Sequence, residues 1–305
     1  KRVLVTGHTG FKGSWLCEIL KMWGAEVTGY ALSAPTDPSL FEIAGVEEGM
    51  RSVIGDIRDL EAMERVFQET QPEIVFHLAA QPIVNVTTDK VYENHEWEYG
   101  YRETDRLDGY DPYSNSKSCS ELVTHSFKQS FFADGRCAIS TVRAGNVIGG
   151  GDFANDRIIP DCIRAAMRQE KVIVRNPHST RPYQHVLEPL AVYLKIAALQ
   201  YENREYEGCY NVGPDDIDCV CTSDLVTMFC KAWGDGMDWE NRYDGGPHEA
   251  NFLKLDCSKI KKKLNWKPRY HVNEAVLKTV EWSKAYCENQ NMQEVTRQQI
   301  REFFE

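Results

Sequence analysis

No run of apolar residues in this 305-residue sequence is long enough to span a bilayer, no two cysteines stand as C-x-x-C, and neither an internal repeat nor a low-complexity tract is present. Membrane insertion and a solenoid are therefore excluded as readings. Positive charge is also short: 35 Lys and Arg face 46 Asp and Glu, a net of −11. That excludes a polyanion-binding surface and with it nucleic acid as an expected partner, while leaving room for a local pocket that takes one phosphorylated ligand. The ten cysteines are scattered without zinc-ligand spacing, so they read as free thiols, mostly buried, with no metal. No signal peptide precedes the first expected strand, which makes a reducing cytoplasm the expected compartment, and the opening on Lys1 rather than Met suggests a short absent N-terminal piece. What is there is ordinary for a globular protein, 42% hydrophobic and 27% charged.

The first half alternates strand-like and helix-like segments, the mark of a parallel sheet covered by helices. Arg2–Thr6 predicts a buried strand, Phe11–Trp23 its crossover helix and Glu26–Ala31 a second strand. Ser52–Gly55 and Glu73–Leu78 are further strands, with Asp59 capping a helix whose Leu60, Met63, Val66 and Phe67 share one face. The pattern then breaks. Ile83–Thr87 looks like another buried strand, yet only residues 79–82 separate it from the previous one, whereas a parallel crossover needs about a dozen residues. A helix-containing segment is therefore expected to be missing between about Pro82 and Asn85. Tyr113–Phe131 predicts a helix, Ala138–Val142 a strand, and the stretch from Val272 onward is helical and polar.

The strongest local signal is V-T-G-H-T-G-F-K-G, which sets Gly7, Gly10 and Gly13 between a strand and a helix inside a βαβ unit. Bare backbone there lets a pyrophosphate approach, and the helix N-terminus stabilises its charge. The expectation is an α/β, Rossmann-type doubly wound parallel sheet over residues 1–145. Residues 146–305 form mainly a smaller, mixed substrate-binding lobe, with part of 185–212 returning to the sheet. His8 and Lys12 are bulkier or more polar than such a loop needs, and they read either as retuning cofactor binding or as facing solvent. Tyr30-Ala31-Leu32-Ser33, after the second strand, offers neither Asp nor Arg for a ribose, so NAD against NADP stays open. Asp56 ends the third strand, where a carboxylate can meet an adenine amine or cap a helix.

Two more patterns carry chemistry. Tyr113 and Lys117 lie four apart on one helix face, so the ammonium is expected to lower the phenol pKa and let the phenol take a proton from a sugar hydroxyl. Thr88, Asp89 and Lys90 end a predicted strand at the sheet edge where ligands bind, and an adjacent acid and amine can move protons on and off a sugar; a plain ion pair is the alternative.

Taken together, G-H-T-G-F-K-G-S-W-L (7–16), G-D-I-R-D (55–59), H-L-A-A-Q-P (77–82), T-D-K-V-Y (88–92), G-Y-D-P-Y-S-N-S-K (109–117), V-R-A-G-N-V-I-G-G-G-D (142–152) and R-P-Y-Q-H-V-L-E-P (181–189) resemble the CDP-glucose 4,6-dehydratases. These belong to the extended short-chain dehydrogenase/reductases, and the resemblance covers nearly the whole chain. It implies NAD as cofactor, held by Gly7, Thr9, Gly10, Phe11, Gly13, Asp56, Ile57, Ala79, Ala80, Gln81, Tyr113 and Lys117. It implies a helix between the alanine-rich strand end and the T-D-K strand, in agreement with the crossover argument. Relatives acting on TDP-glucose carry Glu after the acid, so Lys90 favours a CDP-sugar substrate.

By this resemblance Tyr113 deprotonates the sugar 4-hydroxyl, Thr88 hydrogen-bonds the 4-oxygen, Lys90 removes the C5 proton and Asp89 protonates the departing 6-hydroxyl. Lys90 must then lose its proton near neutrality, about three pKa units or roughly 4 kcal/mol from burial and neighbouring charge. Asn146, Arg181 and, less directly, Arg175 are the expected substrate contacts, the arginines as diphosphate clamps with surface salt bridges as the alternative, and His185, Tyr183 and His248 are weaker candidates that read more readily as packing residues. A homodimer or homotetramer is the family expectation. The rival readings are an NAD-dependent nucleotide-sugar epimerase, which has no need of an acid and amine at 89 and 90, and a catalytically silent dinucleotide-binding protein.

Overall fold

The protein is described here by a computed structural model covering residues 1–78, 84–135, 137–242 and 252–305. Strand β1 (Arg2–Thr6) leads through helix α1 (Phe11–Met22), β2 (Glu26–Ala31), α2 (Leu40–Ile43), β3 (Arg51–Ile54) and α3 (Leu60–Thr70) to β4 (Ile74–His77). β5 (Val84–Thr88) runs into a 3₁₀ turn at Asp89–Val91, followed by α4 (Pro112–Phe131), β6 (Ser140–Ala144) and β7 (Val147–Ile148). Next come α5 (Ile158–Arg168), β8 (Val172–Val174), β9 (Thr180–Pro182), β10 (Gln184–His185), α6 (Leu187–Glu202) and β11 (Cys209–Val212). β12 (Cys219–Cys221), α7 (Thr222–Trp233), β13 (Trp239–Asn241), α8 (Ser258–Leu264), α9 (Val272–Cys287) and α10 (Met292–Phe304) complete the order.

Seven strands form one parallel sheet in the order β11-β6-β5-β4-β1-β2-β3. Strand order reverses between β1 and β4, the switch point beside which an open α/β sheet binds its ligand at the carboxyl ends of the strands. The strands read as apolar runs because both faces are covered: Val3, Leu4 and Val5 are all buried. α1 is apolar nearly all round for the same reason, and Trp15, Leu16 and Ile19 are fully buried. Its one buried acid, Glu18, meets Lys21 at 2.6 Å and Arg297 of α10 at 2.9 Å. A second apolar cluster joins α5, α7 and α9 through Ile159, Cys162, Val226, Phe229, Val276 and Val280.

Several expectations need correction. The C-terminal stretch is helical but not simply polar, since α9 and α10 bury Val276, Val280, Trp282, Ile300 and Phe303. Asp59 does cap α3, accepting from the Ala62 N–H at 3.0 Å, yet of the expected apolar stripe only Val66 is fully buried and Leu60 is 67% exposed. The ten cysteines are free, but just four of them are buried. No helix among the described residues is long and apolar enough to cross a membrane.

The junction between β4 and β5 differs most instructively. The two are parallel neighbours, with Phe76 opposite Val84 and His77 opposite Asn85. β5 therefore starts beside the end of β4 instead of returning to its beginning, and shares two rungs with it where it shares five with β6. The crossover argument assumed full-length pairing, whereas these two strands overlap at two rungs. Residues 79–83, on which the expected gap partly falls, lie outside the described residues.

Candidate active site at the carboxyl edge of the sheet

The glycine loop closes over the end of β1. Gly7 takes a positive φ of 77° and donates to the Tyr30 carbonyl at 3.0 Å, turning the chain sharply toward α1. A Cβ on Gly13 would stand 2.1 Å from the Gly7 carbonyl oxygen and 2.8 Å from the His8 Cα, so only glycine lets the helix pack this close to the loop. Gly10 precedes α1 and supplies no side-chain cap, which leaves the first N–H groups of the helix for an anion. Thr9 pins the loop to β2 by donating to the Leu32 carbonyl at 2.9 Å, and Phe11 lies half-buried beside Gly149. This is a cradle fitted to a dinucleotide.

His8 does not face solvent. Its ring is fully buried against Phe41 and Gly29, shares a hydrogen bond of 2.9 Å with Ser52, and burial drives its pKa down to about 4. Lys12 is half-buried, its pKa lowered to about 8 by burial and then by Arg157 and Lys117, with Asp89 and Asp152 opposing. Asp56 is held by Arg58 of its own loop, which keeps its carboxyl down near 2, and Ile57 packs beside Leu4, Tyr30 and Val75. Ala79, Ala80 and Gln81 lie outside the described residues.

α4 carries the next group. Asp111 caps it, accepting from the Ser114 N–H at 3.0 Å, with Pro112 in the first turn. Tyr113 is 57% exposed, and its phenol pKa is raised, first by desolvation and then by Asp89 and Asp111, while Arg157 pulls it down. The expected depression by Lys117 is thus not found in the protein alone. Lys117 is itself shifted downward by burial. Asp89, at the end of β5, is 1% exposed, and burial raises its pKa. Its Oδ1 accepts from Thr88 at 3.0 Å, its Oδ2 has no hydrogen-bond partner among the described residues, and that oxygen faces Gly145, whose added Cβ would come within 3.1 Å. Lys90, by contrast, is exposed, so the burial expected of it is not supplied by the protein alone.

The substrate candidates separate by position. Asn146 follows β6 at the same sheet edge, its carbonyl accepting from Gln184. Arg181 is buried at 8% exposure and stands near enough to Asp89 to pull its pKa back down. Arg175 is 52% exposed and pairs with Asp156 at 3.3 Å. His185 is fully buried between the rings of Trp15 and Tyr270, with its pKa pushed to about 3; it is a packing residue, because no sugar can reach it there. Tyr183 is buried toward Thr222, and His248 lies outside the described residues. Sequence reasoning passed over Asp152 and Arg157, which pair at 3.1 Å beside Lys12, and the Gly145 approach to Asp89; the G-G-G-D run was the available signal for the first.

Residues 4–96 match the family model described as GDP-mannose 4,6 dehydratase, and residues 81–213 match that of the NAD dependent epimerase/dehydratase family. A curated CDP-glucose 4,6-dehydratase from Salmonella typhimurium is 44% identical over 99% of this chain and 96% of its own. The chain belongs to the nucleotide-sugar 4,6-dehydratase family.

Members of this family are hydro-lyases that work with NAD. A probable dTDP-glucose 4,6-dehydratase of Sinorhizobium fredii is 25% identical over 94% of the chain and 93% of its own. Among solved structures, dTDP-glucose 4,6-dehydratase from Bacillus anthracis in complex with NAD superposes with a TM-score of 0.80 at 18% identity, covering 94% of this chain and 98% of that one. UDP-glucose 4-epimerase from Thermotoga maritima does so at 0.79 and 20%, covering 93% and 99%. Those two speak for the fold. The Salmonella match runs over 344 aligned positions although 99% of the 305-residue chain is about 302 residues, so about 42 positions of this dehydratase's relative have no counterpart here.

Proposed function

We propose that the chain dehydrates CDP-glucose to CDP-4-dehydro-6-deoxy-glucose. The observation that carries this reading is the pairing, on one sheet edge, of a buried acid with raised pKa, Asp89, and the Tyr113/Lys117 helix. An epimerase needs only the latter. The glycine loop, Thr9 and Phe11 hold the dinucleotide, which when bound takes up a hydride from C4 and returns one to C6. Tyr113 accepts the proton of the 4-hydroxyl, and Lys117 steadies the nicotinamide ribose. Ketone formation acidifies the C5 hydrogen. Lys90, exposed in the protein alone and covered by the sugar when it binds, removes it and gives a proton back to C5 when hydride reaches C6. Asp89, whose pKa burial raises, gives its proton to the 6-hydroxyl, which leaves as water. Asn146 and Arg181 engage the diphosphate and sugar, while Arg175 keeps to its surface pair with Asp156.

The test is incubation with NAD and CDP-glucose, and separately TDP-glucose, reading the alkaline absorbance of a 4-keto-6-deoxy sugar. Signal with CDP-glucose alone supports the reading; signal with neither defeats it.

A missing crossover segment is placed between β4 and β5 on the sequence pattern, and the 42 unmatched positions leave room for one of that kind. An intact mass of 34.9 kDa for the protein isolated from its own cells would overturn that placement. The reaction is assigned to the cytoplasm, in keeping with ten free thiols, and to a homodimer or homotetramer, which light scattering on the eluting protein would check.

A further inference from the structure

The reaction proposed above asks two sets of groups on two different elements to act on one sugar without its moving. Tyr113 and Lys117 ride on α4, whereas Thr88, Asp89 and Lys90 sit in the turn after β5. Glu121 continues the α4 stripe four residues past Lys117 and is 4% exposed. Arg143 of β6, 2% exposed, forks onto its carboxylate, with Nε donating at 2.8 and 2.9 Å and Nη2 also bonded.

This pair grips both ends of the turn. On the entering side, Thr87 Oγ1 donates to Glu121 Oε1 at 2.6 Å. On the leaving side, Arg143 Nη1 donates to Tyr92 Oη at 2.6 Å, and the Tyr92 hydroxyl donates onward to Asn211 Oδ1 at 2.6 Å. Ser118, next to Lys117, adds a direct strut by donating to the Val91 carbonyl at 2.8 Å. A buried ion pair of this kind contributes little net stability, but a fully satisfied polar network in a low dielectric fixes one geometry.

We propose that Glu121 and Arg143 are positioning residues that lock the Thr88–Lys90 turn against α4, so that oxidation at C4 and elimination across C5–C6 address the same unmoved sugar. Neither touches substrate. Because a misplacement of about 1 Å costs on the order of a hundredfold in rate, loosening the lock slows elimination, which needs both Asp89 and Lys90 of the turn, more than oxidation, whose base Tyr113 rides on α4.

The inference rests on the dehydration reading, and the test separates the two. Thr87→Val and Tyr92→Phe each remove one hydroxyl from the lock with little change of shape; Glu121→Gln is the sharper variant but endangers folding. Each protein, checked for an unchanged melting profile, is mixed rapidly with NAD and CDP-glucose. Two signals are followed: reduced nicotinamide by its near-ultraviolet absorbance, and 4-keto-6-deoxy product. The expected result is elimination slowed roughly tenfold or more with KM unchanged, so that reduced nicotinamide accumulates where the unmodified protein shows almost none. If both signals fall in the same proportion, or neither changes, the positioning role is overturned. Absence of product from the unmodified protein overturns the dehydration reading and this proposal with it.

Discussion

Placing a methyl group on Gly13 should cost both stability and cofactor affinity, and the size of the effect follows from the loop. The new Cβ would lie 2.1 Å from the Gly7 carbonyl oxygen, where ordinary contact begins at 3.4 Å, so loop and helix must part by about 1.3 Å. Neither side can yield cheaply. Trp15, Leu16 and Ile19 hold α1 in the core at 0% exposure, and Gly7 is tied to β2 through the Tyr30 carbonyl. Overpacking of backbone against backbone costs about 1–3 kcal/mol, which lowers the melting temperature by several degrees. The same displacement moves the first N–H groups of α1, and at 1.4 kcal/mol per factor of ten the loss in NAD affinity is roughly ten- to a hundredfold. Gly10→Ala is the companion variant. Its Cβ would meet only the Gly7 oxygen at 3.5 Å, so the fold should tolerate it, whereas a methyl beside the open helix terminus still obstructs a pyrophosphate. Thermal melts and calorimetric NAD titrations of both variants decide the matter. An unshifted melt for Gly13→Ala refutes the packing argument, and undiminished NAD affinity for Gly10→Ala refutes the cradle.

Three further outcomes are expected. Tyr113→Phe should lower kcat about 10²- to 10⁴-fold with NAD affinity retained, measured by product formation and titration; an unimpaired rate removes Tyr113 as the base for the 4-hydroxyl. Lys90→Met should stop elimination, followed as 4-keto-6-deoxy product, and if water is still lost at the native rate another group is the C5 base. Glu188→Gln tests a buried carboxyl at the start of α6. Burial raises its pKa to about 7, and its Oε1 accepts from the Arg269 and Tyr270 N–H groups at 2.7 and 2.8 Å. A folded pKa above the ordinary 4.5 means stability is fully present below that value and is lost as pH rises toward 7, up to about 3 kcal/mol. The glutamine keeps the acceptor and cannot ionise, so its melting temperature should stay level across this window while that of the parent falls; parallel curves would refute the assignment.

The sequence by itself determined the wound sheet, the glycine loop and the stripe of Tyr113 and Lys117, because each is a local pattern: apolar runs buried on both faces, glycines where backbone meets backbone, and a four-residue spacing on one helix. The approximate bounds of the strands followed from the same periodicity. Burial was a different matter, being a property of what packs from elsewhere. Asp89 and Lys90 are neighbours in the chain, yet folding buries the first under Gly145 and leaves the second exposed. His8 read as retuning the cofactor loop or facing solvent and His185 as a weak substrate candidate, and the tertiary structure sank both rings into the core beside Phe41 and between Trp15 and Tyr270. Glu121 and Arg143 carried no motif of their own; only the meeting of α4 with β6, 22 residues apart in sequence, turned them into a buried fork that grips the turn between them. Spacing along a chain specifies which residues share a face, while the dielectric each one experiences is set by the elements that close over it.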